Sequence, residues 1–343
     1  MIHTPTFSKK STIPLYKQFT DYVVACIRNG VFKPGEMLPS ISAMSIRTGI
    51  SKETIVKGYS YLVKKEVLVS HKGKGYYIKN SFLTGMKSVL ILMDKMSQHQ
   101  QDIMQGFFSA VGTSVETTIR MHYQDPELLE NLVEASVGHY DWYILFPHFP
   151  NKPSCRDKIA SQIEKIPRHK LILVDHLVDY APVDCGASFQ SIETDVPDAL
   201  KSVITDIRKY RRLLYMPLSI SLYKDIIADS IRHFCLEYGI EMEMLEQTPN
   251  QVEKGDLFFV SGAQLDRNLS NLINIFLASG LEIGKDLGLI CYNEFPLNEF
   301  ILGGLTSLSV DFRNMGRKAG EMVLSGDLTK IRCHASLIRR RTF

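Results

Sequence analysis

Lysine and hydroxyl side chains share one face of a short segment near the start of the sequence. After Ser51, the apolar residues Ile55, Tyr59, Leu62 and Val63 recur at helical spacing, so the residues between them project the other way. That outward face consists of Ser51, Lys52, Glu53, Thr54, Val56 and Lys57. Lysines and backbone amides at a helix start contact phosphates, and neighbouring side chains reach base edges. We predict a nucleic-acid contact surface here.

The surrounding elements position this helix. Apolar residues at helical spacing predict a first helix over 14–29, and Ser40 caps a short second helix that ends at Gly49. Two β-favouring runs, 67–70 and 76–78, flank a glycine-bearing loop and predict a hairpin. Its loop supplies the candidate contacts His71, Lys72, Gly73 and Lys74. Helix, turn, helix and basic hairpin predict a winged helix-turn-helix DNA-binding domain over residues 1–80.

Charge is divided unevenly along the 343-residue chain, whose formal net charge is +3. Residues 1–80 hold 13 Lys and Arg against 4 Asp and Glu, whereas residues 81–343 hold 27 against 33. A compact basic domain favours a polyanionic partner, either DNA or an acidic membrane surface. A basic helix face taken alone is often only a solvated surface.

The first domain resembles the GntR family of winged-helix regulators. The resemblance rests on four motifs in order: Pro14-Leu15-Tyr16-x-Gln18, Gly30-x-Phe32-x-Pro34-Gly35-x-x-Leu38-Pro39-Ser40, Gly49-Ile50-Ser51-Lys52-x-Thr54 and Gly73-x-Gly75-x-Tyr77-Ile78. It implies DNA contacts at Ser40, Ser51, Lys52, Thr54, Lys57 and the hairpin loop. The arginine common in the family two positions after the Pro-Ser pair is Ser42 here, which puts one contact in doubt.

Strand-length apolar runs alternate with helical patterns after a short linker at 81–86. The predicted strands are 89–93, 142–146, 171–174, 213–216, 257–260 and 287–291, and the predicted helices are 103–111, 128–137, 196–207, 223–238 and 269–278. Such alternation predicts parallel sheets covered on both faces, with ligands bound beyond the carboxyl ends of the strands. The fold class is therefore α/β, with a winged helix-turn-helix joined to a larger α/β sensor domain over 87–343.

The sensor domain resembles the LacI-type effector domain, a type I periplasmic-binding-protein-like fold. The segments Asp286–Glu294, Gly304–Gly316 and Ser336–Arg341 follow that family's order and spacing. The resemblance implies two lobes joined by three crossings, the first about 87–185 and 311–330, the second about 186–310 and 331–343.

The same resemblance implies an effector cleft between the lobes. Its candidate residues are Asp94, Lys95, Gln101, His148, Asp175, His176, Ser219, Tyr223, Lys224, Ser261, Gln264, Asn293, Glu294 and Phe312. Carboxylates and amides bind sugar hydroxyls, and an aromatic ring covers an apolar sugar face. The chain departs from the family at Gly262-Ala263 and at Glu294, so the ligand need not be that of a familiar relative.

Several of these residues have plainer interpretations. Asp175 equally suits a helix N-cap, Phe312 a core position, and Trp142 a buried one. The ten histidines show no HxH or HExxH spacing, so we expect no metal and no cofactor.

The sequence thus predicts a sequence-specific transcription regulator, a repressor, controlled by a small effector, with a monosaccharide as first candidate. Its partners would be a palindromic double-stranded operator, the sugar and a second copy of the chain. Alternatives are a large domain that only dimerises or binds a partner protein, or an α/β enzyme. The enzyme is disfavoured because no complete Walker, Rossmann or GxSxG motif occurs.

Scattered cysteines and the absence of a signal peptide or a membrane-length apolar run predict a cytoplasmic protein with no membrane partner. The six cysteines, expected to be buried thiols, are Cys26, Cys155, Cys185, Cys235, Cys291 and Cys333.

Overall fold

A computed structural model gives the architecture of the chain. The residues it describes are 7–8, 11, 13–28, 30–71, 73–79, 86–218, 221–261 and 267–343. Among them, no helix has both the length and the apolar character needed to cross a membrane. Five of the six cysteines are buried, as the sequence predicts, while Cys155 is half-buried.

The N-terminal domain is a three-helix winged helix. Its elements are α1 (Leu15–Arg28), α2 (Ile41–Thr48), α3 (Lys52–Lys64), β1 (Leu68–His71) and β2 (Gly75–Ile78). The Ser40 and Ser51 side chains cap α2 and α3 by accepting hydrogen bonds from backbone amides. Gly49 ends α2 in the left-handed conformation, with φ +70°. The predicted caps and the antiparallel hairpin are confirmed.

The first lobe of the large domain is a six-stranded, all-parallel sheet with order β13-β7-β6-β5-β3-β4. Its strands are β3 (Lys87–Met93), β4 (Val115–Met121), β5 (Trp142–Leu145), β6 (Leu171–His176), β7 (Gly186–Gln190) and β13 (Lys330–Arg332). Its helices are α4 (Gln98–Val111), α5 (Pro126–Glu134), α6 (Pro153–Lys165) and α11 (Phe312–Ser325). Apolar clusters cover both faces of this sheet, and Trp142 is buried in one of them.

The second lobe repeats this plan with order β14-β12-β11-β10-β8-β9, parallel except for β14. Its strands are β8 (Arg212–Met216), β9 (Glu241–Met244), β10 (Asp256–Val260), β11 (Gly288–Tyr292), β12 (Thr306–Ser309) and β14 (Ser336–Ile338). Its helices are α7 (Ile192–Lys201), α8 (Ile204–Ile207), α9 (Lys224–Tyr238) and α10 (Arg267–Ser279). The chain passes between the lobes after β7, after β12 and after β13.

Two sequence expectations need correction. The first lobe extends past residues 185 and 330, because β7 and β13 pair with each other in its sheet. The helix predicted over 196–207 is two helices, α7 and α8. The Ser202 hydroxyl donates to the Ala199 carbonyl at the break, and this local bond competes with the helical backbone pattern.

The winged helix docks on the first lobe through α1 and the segment before it. Ile13 is buried among the apolar residues beneath that lobe's sheet. The Asp21 carboxylate lies 3.8 Å from the Arg120 guanidinium on β4, and the Tyr22 ring faces His139. The domain that carries the basic helix therefore contacts an edge strand of the large domain directly.

Helices α4 and α11 cross at two glycines. A Cβ atom on Gly316 would lie 1.8 Å from the Ile103 carbonyl oxygen, and one on Gly106 would lie 1.8 Å from that of Arg313. Because both obstacles are backbone atoms, the helices cannot relieve such a clash by side-chain rotation.

We predict that Gly316→Ala separates α4 from α11 and lowers the free energy of unfolding by at least about 1–3 kcal/mol, the cost of overpacking. Urea unfolding followed by circular dichroism measures this loss. Arg317→Ala, at an exposed neighbour on the same helix, is the matched control. Equal unfolding midpoints for the two variants would contradict the predicted crossing.

Candidate DNA interface and ligand cleft

The start of α3 presents the predicted contact residues to solvent. Ser51, Lys52, Glu53, Val56 and Lys57 are exposed. Thr54 is half-buried, and its hydroxyl lies 2.9 Å from the Ser51 hydroxyl. The opposite face is buried in the domain core, where Ile55 and Tyr59 have no exposed surface. The core therefore fixes which side chains face outward.

Lys57 has a second contact that sequence reasoning missed. Its ammonium group lies 4.4 Å from the centre of the Tyr16 ring on α1. This cation–π contact holds the charge at the domain surface and restricts the side chain.

The remaining predicted contacts flank α3. Ser40 is exposed at the start of α2, while His71, Gly73 and Lys74 are exposed at the tip of the hairpin. Gly73 has φ +77°, a conformation that favours glycine in this tight loop. Lys72 lies outside the described residues.

A cavity of about 390 Å³ lies between the lobes, at the carboxyl ends of both sets of parallel strands. Nine predicted effector residues line it: Asp94, Lys95, His148, Asp175, His176, Tyr223, Ser261, Asn293 and Phe312. Phe312 is also buried in the first-lobe core, so it is both a core residue and a cavity-lining residue. Ser219 and Gln264 lie outside the described residues.

Three predicted cleft residues do not line the cavity. Gln101 is exposed because it lies one position round α4 from the buried Gln100. Lys224 begins α9 beyond the cavity wall. Glu294 instead pairs with Arg340 at 2.6 Å. It directly follows Asn293, whose backbone is left-handed, with φ +79°.

The predicted cleft segment Asp94 to Gln101 also contributes His99 and Gln100 to the lining, and Ser97 and Gln100 form a capping box at the start of α4. Sequence reasoning missed several other lining residues, including Gln124, Gln190, Tyr292 and Phe295. Gln124 follows strand β4 and Gln190 ends strand β7, and neither strand is among the six apolar runs that were predicted as strands.

Two buried carboxylates enclose an imidazole at the first-lobe side of the cavity. His148 Nδ1 lies 3.0 Å from Asp94 Oδ1, and His148 Nε2 lies 3.0 Å from Asp175 Oδ2. Amide groups hold the carboxylates: Gln100 and Gln124 donate to Asp94 at 3.2 and 3.1 Å, and Gln190 donates to Asp175 at 2.6 Å. Asp175 is thus part of a charge cluster and does not cap a helix.

The cluster sets the protonation of its members. Burial by itself lowers the pKa of His148, but its contacts with Asp175 and Asp94 outweigh burial and raise that pKa to about 9. Burial raises the pKa of Asp94, but the His148 hydrogen bond and charge bring it down to about 2. Burial lowers the pKa of His176 to about 4. An imidazolium therefore lies between two carboxylates, beside a neutral histidine.

Aromatic side chains bridge the lobes across the cavity. The His176 ring stacks on Tyr223 of the second lobe, with centroids 4.2 Å apart, and His99 packs against Phe295 at 4.8 Å. The Tyr292 hydroxyl donates to Gln190 Oε1 at 3.2 Å. These contacts join groups that would separate if the lobes moved apart.

Fold and surfaces together define the class of the molecule, a winged helix-turn-helix joined to a two-lobed α/β binding domain. Residues 15–78 match the gntR family of bacterial regulatory proteins, and residues 223–341 match the periplasmic binding protein-like domain. The chain therefore combines a helix-turn-helix domain of the gntR family with a periplasmic binding protein-like domain.

Similar proteins include two curated regulators of Escherichia coli K12. The chain is 34% identical over 145 residues to the HTH-type transcriptional regulator GgaR, covering 37% of this chain and 58% of that protein. It is 38% identical over 66 residues to the mannosyl-D-glycerate transport/metabolism system repressor MngR, covering 19% and 28%. The matched part thus spans less than two thirds of either relative.

A lac repressor dimer, solved bound to operator and the anti-inducer ONPF, shares the fold. The TM-score is 0.58 at 14% sequence identity, over 76% of this chain and 94% of that one. This likeness agrees with the two-lobed architecture predicted from the sequence.

We predict that His148→Ala lowers the free energy of unfolding by about 3–5 kcal/mol, because it leaves Asp94 and Asp175 buried without their shared cation. Urea unfolding measures the loss, with His169→Ala at an exposed position as the control. An unchanged unfolding midpoint would mean that the carboxylates do not depend on His148.

Proposed function

We propose that this protein is a sequence-specific DNA-binding transcription repressor whose operator affinity is controlled by a small ligand bound between its lobes. The observation that carries the proposal is the exposed face of α3, where lysine and hydroxyl side chains surround a capped helix start. The gntR-family match over the same residues supports it.

The geometry of α3 suits the DNA major groove. The groove admits one α-helix, whose N-terminal residues meet base edges while flanking groups bind phosphates. Ser51, Lys52 and Thr54 lie at that end of α3, and Lys57 lies one turn further along. The hairpin lysine Lys74 is exposed beside them, as a wing contact with the backbone requires.

The functional unit we propose is a homodimer on a palindromic operator. A two-fold dimer presents two winged helices, so its half-sites must be one helical turn of DNA or a multiple apart. The lac repressor, which shares the two-lobed fold, was solved as a dimer on its operator.

A monosaccharide or a close derivative is the ligand that the cleft suits best. The side chains of Gln124 and Asn293 belong to residues that line the cavity, and amide oxygens accept hydroxyl hydrogens. Tyr223 and Phe312 offer aromatic surface to an apolar sugar face. A volume of about 390 Å³ lies within the range of small-molecule pockets. The repressor name of MngR refers to a sugar derivative.

Strand β4 offers a route from the cleft to the DNA-binding domain. Three residues after its end, Gln124 donates to Asp94 in the cleft, and within the strand Arg120 pairs with Asp21 on α1. A ligand that changes the cleft thereby acts on a strand touching the winged helix. A coupling of about 1–3 kcal/mol gives a 5- to 150-fold change in operator affinity.

An open polar cavity favours this function over a large domain that serves only for dimerisation or for binding a partner protein. A large domain that served only for association would need no cavity between its lobes. Here the lobes enclose about 390 Å³, bordered by polar residues that include Asp94, Asp175 and Gln124.

We predict that Lys52→Ala and Lys57→Ala each weaken operator binding and lower the salt slope by about one unit, because each lysine neutralises one phosphate. Fluorescence anisotropy over a series of salt concentrations measures the slope. Lys158→Ala, on the sensor domain, is the control. An operator affinity and slope unchanged in both α3 variants would place the DNA contacts elsewhere.

We predict that a monosaccharide panel contains a ligand that raises the melting temperature, since a ligand at 100 times its dissociation constant stabilises by about 2.7 kcal/mol. Tyr223→Ala removes aromatic surface from the cavity and should abolish the shift. Phe300→Ala, at a side chain 75% exposed on the same lobe, should retain it. A shift that persists in Tyr223→Ala would place the ligand outside this cleft.

A further inference from the structure

We propose that the first-lobe wall of the cleft is a binding site for a divalent transition-metal ion, with zinc as the first candidate. The ligands are His148 Nε2, His176 Nε2 and a carboxylate oxygen of Asp175. One donor atom from each of the three residues lies within 4.8 Å of the others. The site lies in the cleft proposed for the small ligand, but metal binding there does not depend on the proposed regulation of DNA binding.

The backbone brings two of the ligands together at the end of β6. Consecutive side chains of a strand normally point to opposite faces of the sheet. Asp175 has φ +77°, which breaks this alternation, and both Asp175 and His176 line the cavity. His148 reaches the same point from the loop after β5, the neighbouring parallel strand.

One ligand atom has no hydrogen-bond partner, although it is buried. His148 is 4% exposed, and its Nε2 atom forms no well-directed hydrogen bond. Asp175 Oδ2 is 3.0 Å away but off the ring axis, so the contact is only an ion pair. A metal ion within reach of both atoms would satisfy Nε2 and the carboxylate together.

The surrounding groups match those that orient metal ligands. A metal-bound histidine usually donates its other ring N–H to a carboxylate, which fixes the ring. Here His148 Nδ1 lies 3.0 Å from Asp94 Oδ1, and Gln100 and Gln124 hold Asp94 in turn. Gln190 holds the second oxygen of Asp175.

The donor set selects the kind of metal. Two imidazoles and one carboxylate suit zinc and other first-row transition ions, whereas magnesium and calcium prefer oxygen ligands alone. Three protein ligands would leave one coordination position open, and all three residues line the cavity. On binding, the metal replaces the Nε2 proton of His148, and this proton passes to solvent.

The test is a Co²⁺ titration of the untagged full chain after dialysis against a chelator. We expect visible absorption bands that saturate at one equivalent per chain and disappear when Zn²⁺ is added. His176→Ala and Asp175→Asn should lose this binding, and Asp94→Asn should weaken it by about 10- to 100-fold. His169→Ala, at an exposed histidine, should bind as the wild type does.

Three results would overturn the proposal. The first is the absence of saturable binding by the wild-type chain. The second is undiminished binding by His176→Ala or by His176→Gln, which serves if the alanine variant does not fold. The third is a sulfur-to-cobalt charge-transfer band in the near ultraviolet, which would assign the metal to cysteine. Either of the first two would leave the cluster as an ion-pair network.

Discussion

Two carboxylates buried where the lobes meet impose the strongest constraint on the large domain. Asp94 and Asp175 are 2% and 5% exposed, and a charge in such surroundings needs a counter-charge and hydrogen bonds. His148 supplies the charge, while Gln100, Gln124 and Gln190 supply the hydrogen bonds. The cleft therefore has a fixed polar wall whose side chains are already held in place before a ligand arrives.

Parallel sheets explain why this wall coincides with the junction of the lobes. The carboxyl ends of β3, β5 and β6 meet at one edge of the first sheet, and each strand is followed by a member of the charge cluster or ends in one. The second lobe brings Tyr223 and Tyr292 to the same junction, so both lobes contact one cavity. Strand β4 also connects this junction to the winged helix, since Gln124 just after the strand donates to Asp94 and Arg120 within it pairs with Asp21 on α1.

The sequence predicted those parts of the molecule that depend on local patterns. Helix caps at Ser40 and Ser51, the hairpin and six apolar strands are all visible in short segments of chain. Most of the cleft residues were predicted from the resemblance to the LacI-type effector domain, which places the cleft at the ends of strands. The wrong cleft predictions occur where the local backbone conformation sets the direction of a side chain. Glu294 follows the left-handed Asn293 and pairs with Arg340. Gln101 lies on the exposed face of α4.

The charge cluster of Asp94, His148 and Asp175 could not be predicted from local sequence patterns. His148 lies 27 residues before Asp175 and 54 after Asp94, so no spacing rule for metal or charge sites brings them together. Their proximity follows from the strand order of the sheet. The interaction between β4 and α1 is tertiary in the same way, since Arg120 and Asp21 are far apart in the chain.

The central claim is that a ligand bound in the cleft changes the affinity of the protein for its operator. One titration tests this claim most directly. Operator affinity is measured by fluorescence anisotropy at fixed salt, without and with a saturating ligand that binds the cleft. We expect the dissociation constant to change by about 5- to 150-fold. An operator dissociation constant that stays the same while the cleft is demonstrably occupied would contradict the claim.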